Sequence, residues 1–185
     1  MRLALAAVLA FAASPALAQG WAADPAASSL TLTGKQGDYA YTATLTGWNA
    51  AITFDPANLA AATIRAEIPL TALTLSPNAE GEEGYLKGAS WFDVKNHPGA
   101  VLECPAGSVA AAPTGYTAAC TLAIRGEARP VTLAFTVVID GNSATAEGTA
   151  PIDWTQWPLP VKDANPSWGV DPAVTAAFRI VAAKS

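Results

Sequence analysis

Leu122–Phe135 reads LAIRGEARPVTLAF, two apolar runs joined by a tight turn. Ile124, Arg125 and Gly126 close the first run, and Arg129, Pro130 and Val131 open the second. Gly126 can take the positive φ that a short connection between strands needs. Pro130 at the head of a strand gives up no ladder hydrogen bond there. Beyond it, Val131, Leu133, Phe135, Val137 and Ile139 alternate with Thr132, Ala134, Thr136 and Val138. A period of two puts the first set on one face. The stretch is a β-hairpin with a strongly apolar side.

The same period runs outward in both directions. Leu30 and Leu32 alternate with Thr31 and Thr33, and Tyr39, Tyr41, Ala43 and Leu45 share one face of the next strand. After Gly47 the parity flips to Trp48, Ala50, Ile52 and Phe54; a glycine at a phase change marks a bulge or sharp bend. Ile64, Ala66, Ile68 and Leu70 follow, with Arg65 and Glu67 facing out. Further strands are expected over 101–109, 116–124, 131–139, 143–152 and 174–181. Leu59–Ala62 reads as a helical turn, and Ser76–Val94 as a long polar loop with a short helical segment near residues 84–93. Connections beyond ~12 residues in a compact domain usually cap or bind something. A sheet of about eight antiparallel strands leaves exposed edges unless it closes. Closure at that number encloses packed side chains or one small ligand. The expected fold is all-β: an eight-stranded antiparallel, lipocalin-like barrel.

The N-terminus carries Arg2, a wholly apolar run from Leu3 to Ala13, and Ala16-Leu17-Ala18. A basic start, a short apolar core and an Ala-x-Ala exit constitute a secretory signal peptide over 1–18, cleaved after Ala18. The apolar run is shorter than the ~20 residues of a membrane span. Gln19, not Cys, follows the cut, so a lipoprotein anchor is not expected. The expected product is one exported domain over residues 19–185, located in the periplasm. A formal net charge of −5 and a pI near 4.7 lack the basic footprint that nucleic acid requires.

Cys104 and Cys120 are equidistant from Ala112, in an expected turn at Ala112-Pro113. Should the flanking strands pair as a hairpin, the thiols lie nearly opposite each other, and an exported protein permits a disulfide. Such a bridge would contribute ~3 kcal/mol if unstrained. Two separate buried thiols, or a register that misses, are the alternatives.

Catalysis has no candidate. His97, the one histidine, sits in the turn Lys95–Pro98, and with two cysteines it cannot supply the ligand set of a zinc site. There is no Gly-x-Ser-x-Gly elbow and no phosphate-cradling glycine loop. Glu82 and Glu83 are neighbours in a polar loop and read as solvated charge. No cofactor is expected.

Function is therefore expected in the apolar interior. Leu32, Leu45, Ile52, Leu133 and Phe135 point inward by parity, joined by Phe54, Ile68 and Leu102. Leu86, Trp91 and Phe92 come from the long loop. Trp48, Trp91, Phe92, Trp157 and Trp168 fall near strand ends or in loops, where they could ring a barrel mouth. An apolar pocket with few polar groups favours long hydrocarbon ligands, each buried methylene contributing ~0.8 kcal/mol.

Four segments, in order, resemble the YceI family of periplasmic lipid-binding proteins. Trp21 with Asp24-Pro25 and Ser28-Ser29-Leu30 looks like its opening strand, and Trp48–Pro56 like its "I-x-F-D-P" strand. Tyr85-Leu86-Lys87, Trp91-Phe92-Asp93 and His97-Pro98 resemble its "HLK…FFD…YP" segment; Leu122–Gly126 with Arg129-Pro130-Val131 resembles its "LTIRG..KPV" turn. The resemblance implies an extended eight-stranded barrel carrying a polyisoprenoid, isoprenoid quinone or other long-chain acyl amphiphile, without catalysis. It also raises a docking role beside membrane cytochrome b, and an envelope stress protein whose barrel is filled by its own side chains. The chain departs from the pattern in Tyr85, which replaces a histidine, in Glu82-Glu83, which replace Arg-Asp, and in Trp154, which replaces an arginine. Loss of those basic groups points to a ligand with a neutral head, such as a quinone or fatty amide.

Overall fold

The computed structural model describes residues 19–76, 81–159 and 170–185. The expected signal peptide, residues 77–80 of the polar loop and Trp168 lie outside the described residues.

Arg125 and Gly126 form the two-residue loop between paired Ile124 and Glu127, with φ of 53° and 80°. Two positive φ values in succession belong to a type I′ turn, whose twist matches the flanking strands. Sequence alone had assigned positive φ to Gly126; Arg125 shares it.

Around this hairpin the strands run in chain order. β1 (Gly20–Ala23) and β2 (Ser29–Gln36) are followed by β3 (Tyr39–Leu45), β4 (Asn49–Thr53), β5 (Thr63–Pro69) and β6 (Leu73–Ser76). The helix α1 (Glu82–Lys87) precedes β7 (Gly99–Cys104), β8 (Val109–Ala112) and β9 (Gly115–Ile124). β10 (Glu127–Asp140), β11 (Ser143–Asp153) and β12 (Ala173–Lys184) complete the sheet. All pairings are antiparallel, and β1 pairs with both β4 and β12. The ring β1-β4-β5-β7-β9-β10-β11-β12 therefore closes into an eight-stranded barrel.

β2, β3 and β6 extend three staves of this ring past its rim. β12 is long enough to pair with β1 through Ala182–Lys184 and with β2 through Thr175–Arg179. β3 and β4 are one stave bent at Gly47, whose φ is +70°, which is the phase change read in the sequence. β6 pairs with β3 on one side, and α1 packs against it. The β6 edge gains one hydrogen bond from outside the sheet, where the Leu75 N–H donates to Glu83 Oε2 at 3.4 Å.

Several element boundaries differ from expectation. The run 101–109 is two strands, broken by a turn at Pro105 and by Gly107 with φ +80°. Glu103 faces Thr121 but Val109 faces Ala118, so residues 105–108 bulge out between two ladders on β9. β10 begins at Glu127, ahead of Pro130, and β11 pairs with it only from Ala134, leaving Pro130 where β10 has one neighbour strand. Ile139 lies beyond the barrel wall and is 39% exposed. The helical segment spans Glu82–Lys87, earlier than 84–93, and stops at Gly88, which is extended. Its sequence explains the placement: Glu82 and Glu83 favour the first turn, Lys87 the last, and Glu83 and Lys87 pair at 2.7 Å across one turn. The Lys87 hydrogen bond comes first among the causes that hold the Glu83 carboxyl below its ordinary value.

Cys104 and Cys120 are joined in a disulfide, resolving the alternatives the sequence left open. The β7–β9 register, with Glu103 opposite Thr121, brings the two residues side by side.

Candidate ligand-binding cavity

Inward residues of the staves enclose a cavity of about 690 Å³, within the range of small-molecule sites. Its volume has a simple cause in side-chain size. β10 contributes the large residues Val131, Leu133, Phe135 and Val137, while β11, paired beside it, contributes only Ala144, Ala146 and Ala150. Ala50 on β4 and Ala66 on β5 are paired neighbours that also line it. Alternating inward positions thus carry side chains too short to meet across the barrel.

The two ends differ. At one, where the β8–β9 and β10–β11 turns lie, aromatic rings form a floor. Phe54 sits edge-on to Tyr116 and Phe135, with ring centroids 5.1 and 6.2 Å away. The Trp21 indole N–H donates to the Phe54 carbonyl at 2.8 Å, so this donor is already satisfied.

The other end holds the β2–β3 and β9–β10 turns, α1 and the residues that follow it. Tyr85, Trp91 and Trp154 line the cavity there; the Trp91 ring lies 6.3 Å from Tyr85 and 5.3 Å from Trp154. Trp154 is anchored by its indole N–H on the Asp171 carbonyl at 2.7 Å. The Trp91 indole N–H is buried without an acceptor, a loss of about 1–3 kcal/mol relative to a paired donor. Arg125 fixes the Trp91 backbone: its guanidinium donates to the carbonyls of Ala89, at 2.8 Å, and of Trp91, with Asp93 at 3.9 Å. The hairpin turn therefore clamps the segment after α1 over the barrel.

Gln36, Tyr41 and Glu82 bring further polar atoms to this end of the wall. Gly34 opposes Tyr41 across the β2–β3 ladder, and a Cβ there would stand 2.5 Å from the phenol oxygen, so glycine leaves room for the ring. Burial, and after it the charge of Asp171, pushes the Tyr41 phenol above the usual tyrosine range. Most of the remaining wall is hydrocarbon, with the Trp21 indole N–H near the floor already paired.

A family model described as a YceI-like domain matches residues 21–182. The chain belongs to the YceI-like family. BcnA of Burkholderia cenocepacia is similar at 25% identity and a TM-score of 0.77, over 86% of this chain and 98% of that one. A polyisoprenoid binding domain from Saccharophagus degradans shares the YceI-like fold at 12% identity and a TM-score of 0.61, covering 89% and 98%. The YCEI protein of Campylobacter jejuni does so at 14% identity and a TM-score of 0.63, covering 77% and 84%. No curated protein matches the chain.

Within this YceI-like barrel, the sequence-derived positions fall as follows. Leu32, Leu45, Ile52 and Phe54 line the cavity from the first staves, with Trp48 just after the Gly47 bend. Ile68, Leu102, Leu133 and Phe135 line it from β5, β7 and β10, and Leu86, Trp91 and Phe92 from α1 and the segment after it. Trp157 does not. It is buried but outside the wall, and its indole N–H donates to the Glu127 carbonyl at 2.8 Å. Asp153 caps the short 3-10 turn ahead of it by accepting from the Thr155 N–H, and that turn carries Trp157 behind the β9–β10 hairpin. Sequence reading missed Trp21, Leu122, Ile124 and Phe178 as wall residues. For Leu122 and Ile124 the inward parity of β9 was a usable signal. His97 lies in a turn, its backbone N–H on the Asp93 carbonyl at 2.8 Å.

Proposed function

We propose that this protein is a periplasmic carrier that holds a long-chain amphiphile (a polyisoprenoid, an isoprenoid quinone or a fatty-acid derivative) in its barrel, without transforming it. The observation that carries the reading is the distribution of polarity in the 690 Å³ cavity: a hydrocarbon wall with most polar side chains gathered at one end. A hydrocarbon tail gains ~0.8 kcal/mol per buried methylene inside such a wall, and a head group reaches the polar end. The name of the S. degradans structure, a polyisoprenoid binding domain, supports the same reading. The only charged side chain on the described wall is Glu82, which disfavours an anionic head. Export after Ala18 would deliver the carrier to an aqueous compartment in which such molecules need a soluble host. In the mature protein, the N-terminal residue would then be Gln19.

The test fills the lumen. Ala66 lies in the wall on β5, between Ala50 and Leu102. In Ala66→Phe the ring occupies space the ligand requires while the strand ladder is untouched. Titrated with a long-chain isoprenoid quinone, the wild type should bind with quenching of its tryptophans, and the folded variant should bind at least tenfold more weakly. Equal binding by the two would place the ligand elsewhere.

A further inference from the structure

We propose that Glu82 makes the mouth of the cavity a recognition site for a cationic nitrogen, so that amphiphiles with an ammonium head are preferred over neutral ones and anionic ones are excluded. This rests on the carrier reading and specifies its ligand class. Glu82 is half-buried on the wall and, among the described residues, has neither an ion pair nor a hydrogen-bond partner. Glu83 next to it differs, being satisfied by Lys87 at 2.7 Å. Among the described residues, the basic ones at this end are engaged or turned away. Arg129 pairs with Glu127 at 3.1 Å, Arg125 holds the Ala89 and Trp91 carbonyls, and Lys35 and Lys95 are exposed and off the wall. Among the described residues, no cation therefore neutralises Glu82 where the cavity opens.

The second observation is aromatic. Tyr85 lies three residues beyond Glu82 on α1, hence on the same helix face. From Tyr85 the rings continue to Trp91 at 6.3 Å and on to Trp154 at 5.3 Å. Carboxylate and π-faces at one apolar mouth are what an ammonium group, and quaternary ammonium in particular, seeks. The hydrocarbon surroundings keep the local dielectric below that of water and so strengthen the charge preference.

The experiment compares three probes with one dodecyl chain, used below micelle formation: dodecyltrimethylammonium, dodecanol and dodecyl sulfate. The ligand-stripped protein and Glu82→Gln are titrated by calorimetry, after circular dichroism establishes that both are folded. The expected wild-type order is ammonium, alcohol, sulfate, with at least tenfold between first and last. Added salt should narrow that gap, and Glu82→Gln should reduce it to about threefold or less. Sulfate binding as tightly as ammonium, or an unchanged gap in Glu82→Gln, would overturn the inference while leaving the carrier reading standing. Binding of none of the three would overturn both.

Discussion

Arg125 carries two loads that a substitution can separate. Its backbone occupies the first position of the type I′ turn at φ 53°, and its guanidinium holds the Ala89 and Trp91 carbonyls. Asparagine suits the turn better, because it tolerates the left-handed region at little cost. Arg125→Asn should nevertheless lower stability by about 1–3 kcal/mol, since both carbonyls lose their donor. Urea denaturation measures the total, and hydrogen exchange over residues 88–97 should rise well ahead of exchange in β9 and β10. A variant as stable as the wild type would mean that the clamp contributes nothing. The sequence revealed the turn through Gly126 and Pro130, but not the clamp. Which carbonyls a long side chain reaches depends on where a segment over thirty positions earlier in the chain is folded, and no local pattern encodes that.

Among the elements, the strands were the most legible. Alternation at Val131–Val137 and the parity flip at Gly47 located both inward faces, because a side chain on a half-buried strand has two environments to choose between. Legibility fell where contrast fell. Ala144, Ala146 and Ala150 line the cavity, yet alanine is at home on either face, so β11 gave no sign of its inward side. The break between β7 and β8 was hidden for another reason: Pro105 and Gly107 sit inside a run with apolar residues at both ends, and the bulge reconciles two ladders on β9. The Cys104–Cys120 bridge lies at this break and ties β7 to β9 just where their pairing ends. Reducing it should cost about 3 kcal/mol, lowering the melting temperature by roughly 6–12 °C in a domain of this size. Calorimetry with and without reductant reads the shift directly; coincident melting curves would show the cross-link to be thermodynamically silent.

For the whole molecule, the decisive quantity is the balance between wall and void. The sequence offered two barrels, one filled by its own side chains and one hollow, and could not choose between them, because interior volume depends on which side chains face one another across the lumen. Setting Leu133 and Phe135 beside alanines on the neighbouring stave leaves the cavity of about 690 Å³. The aromatic floor closes one end, and the segment after α1, clamped by Arg125, flanks the mouth at the other. A cavity so apolar gains little from water, which needs two to four polar partners to be held, and this favours the proposed hydrocarbon occupant. Native mass spectrometry of the protein purified from its native host, followed by organic extraction of any adduct, tests this most directly. The account predicts an adduct of several hundred daltons that extracts as a prenyl or acyl compound. A bare mass that stays bare after incubation with polyprenols, isoprenoid quinones and long-chain amines would contradict it.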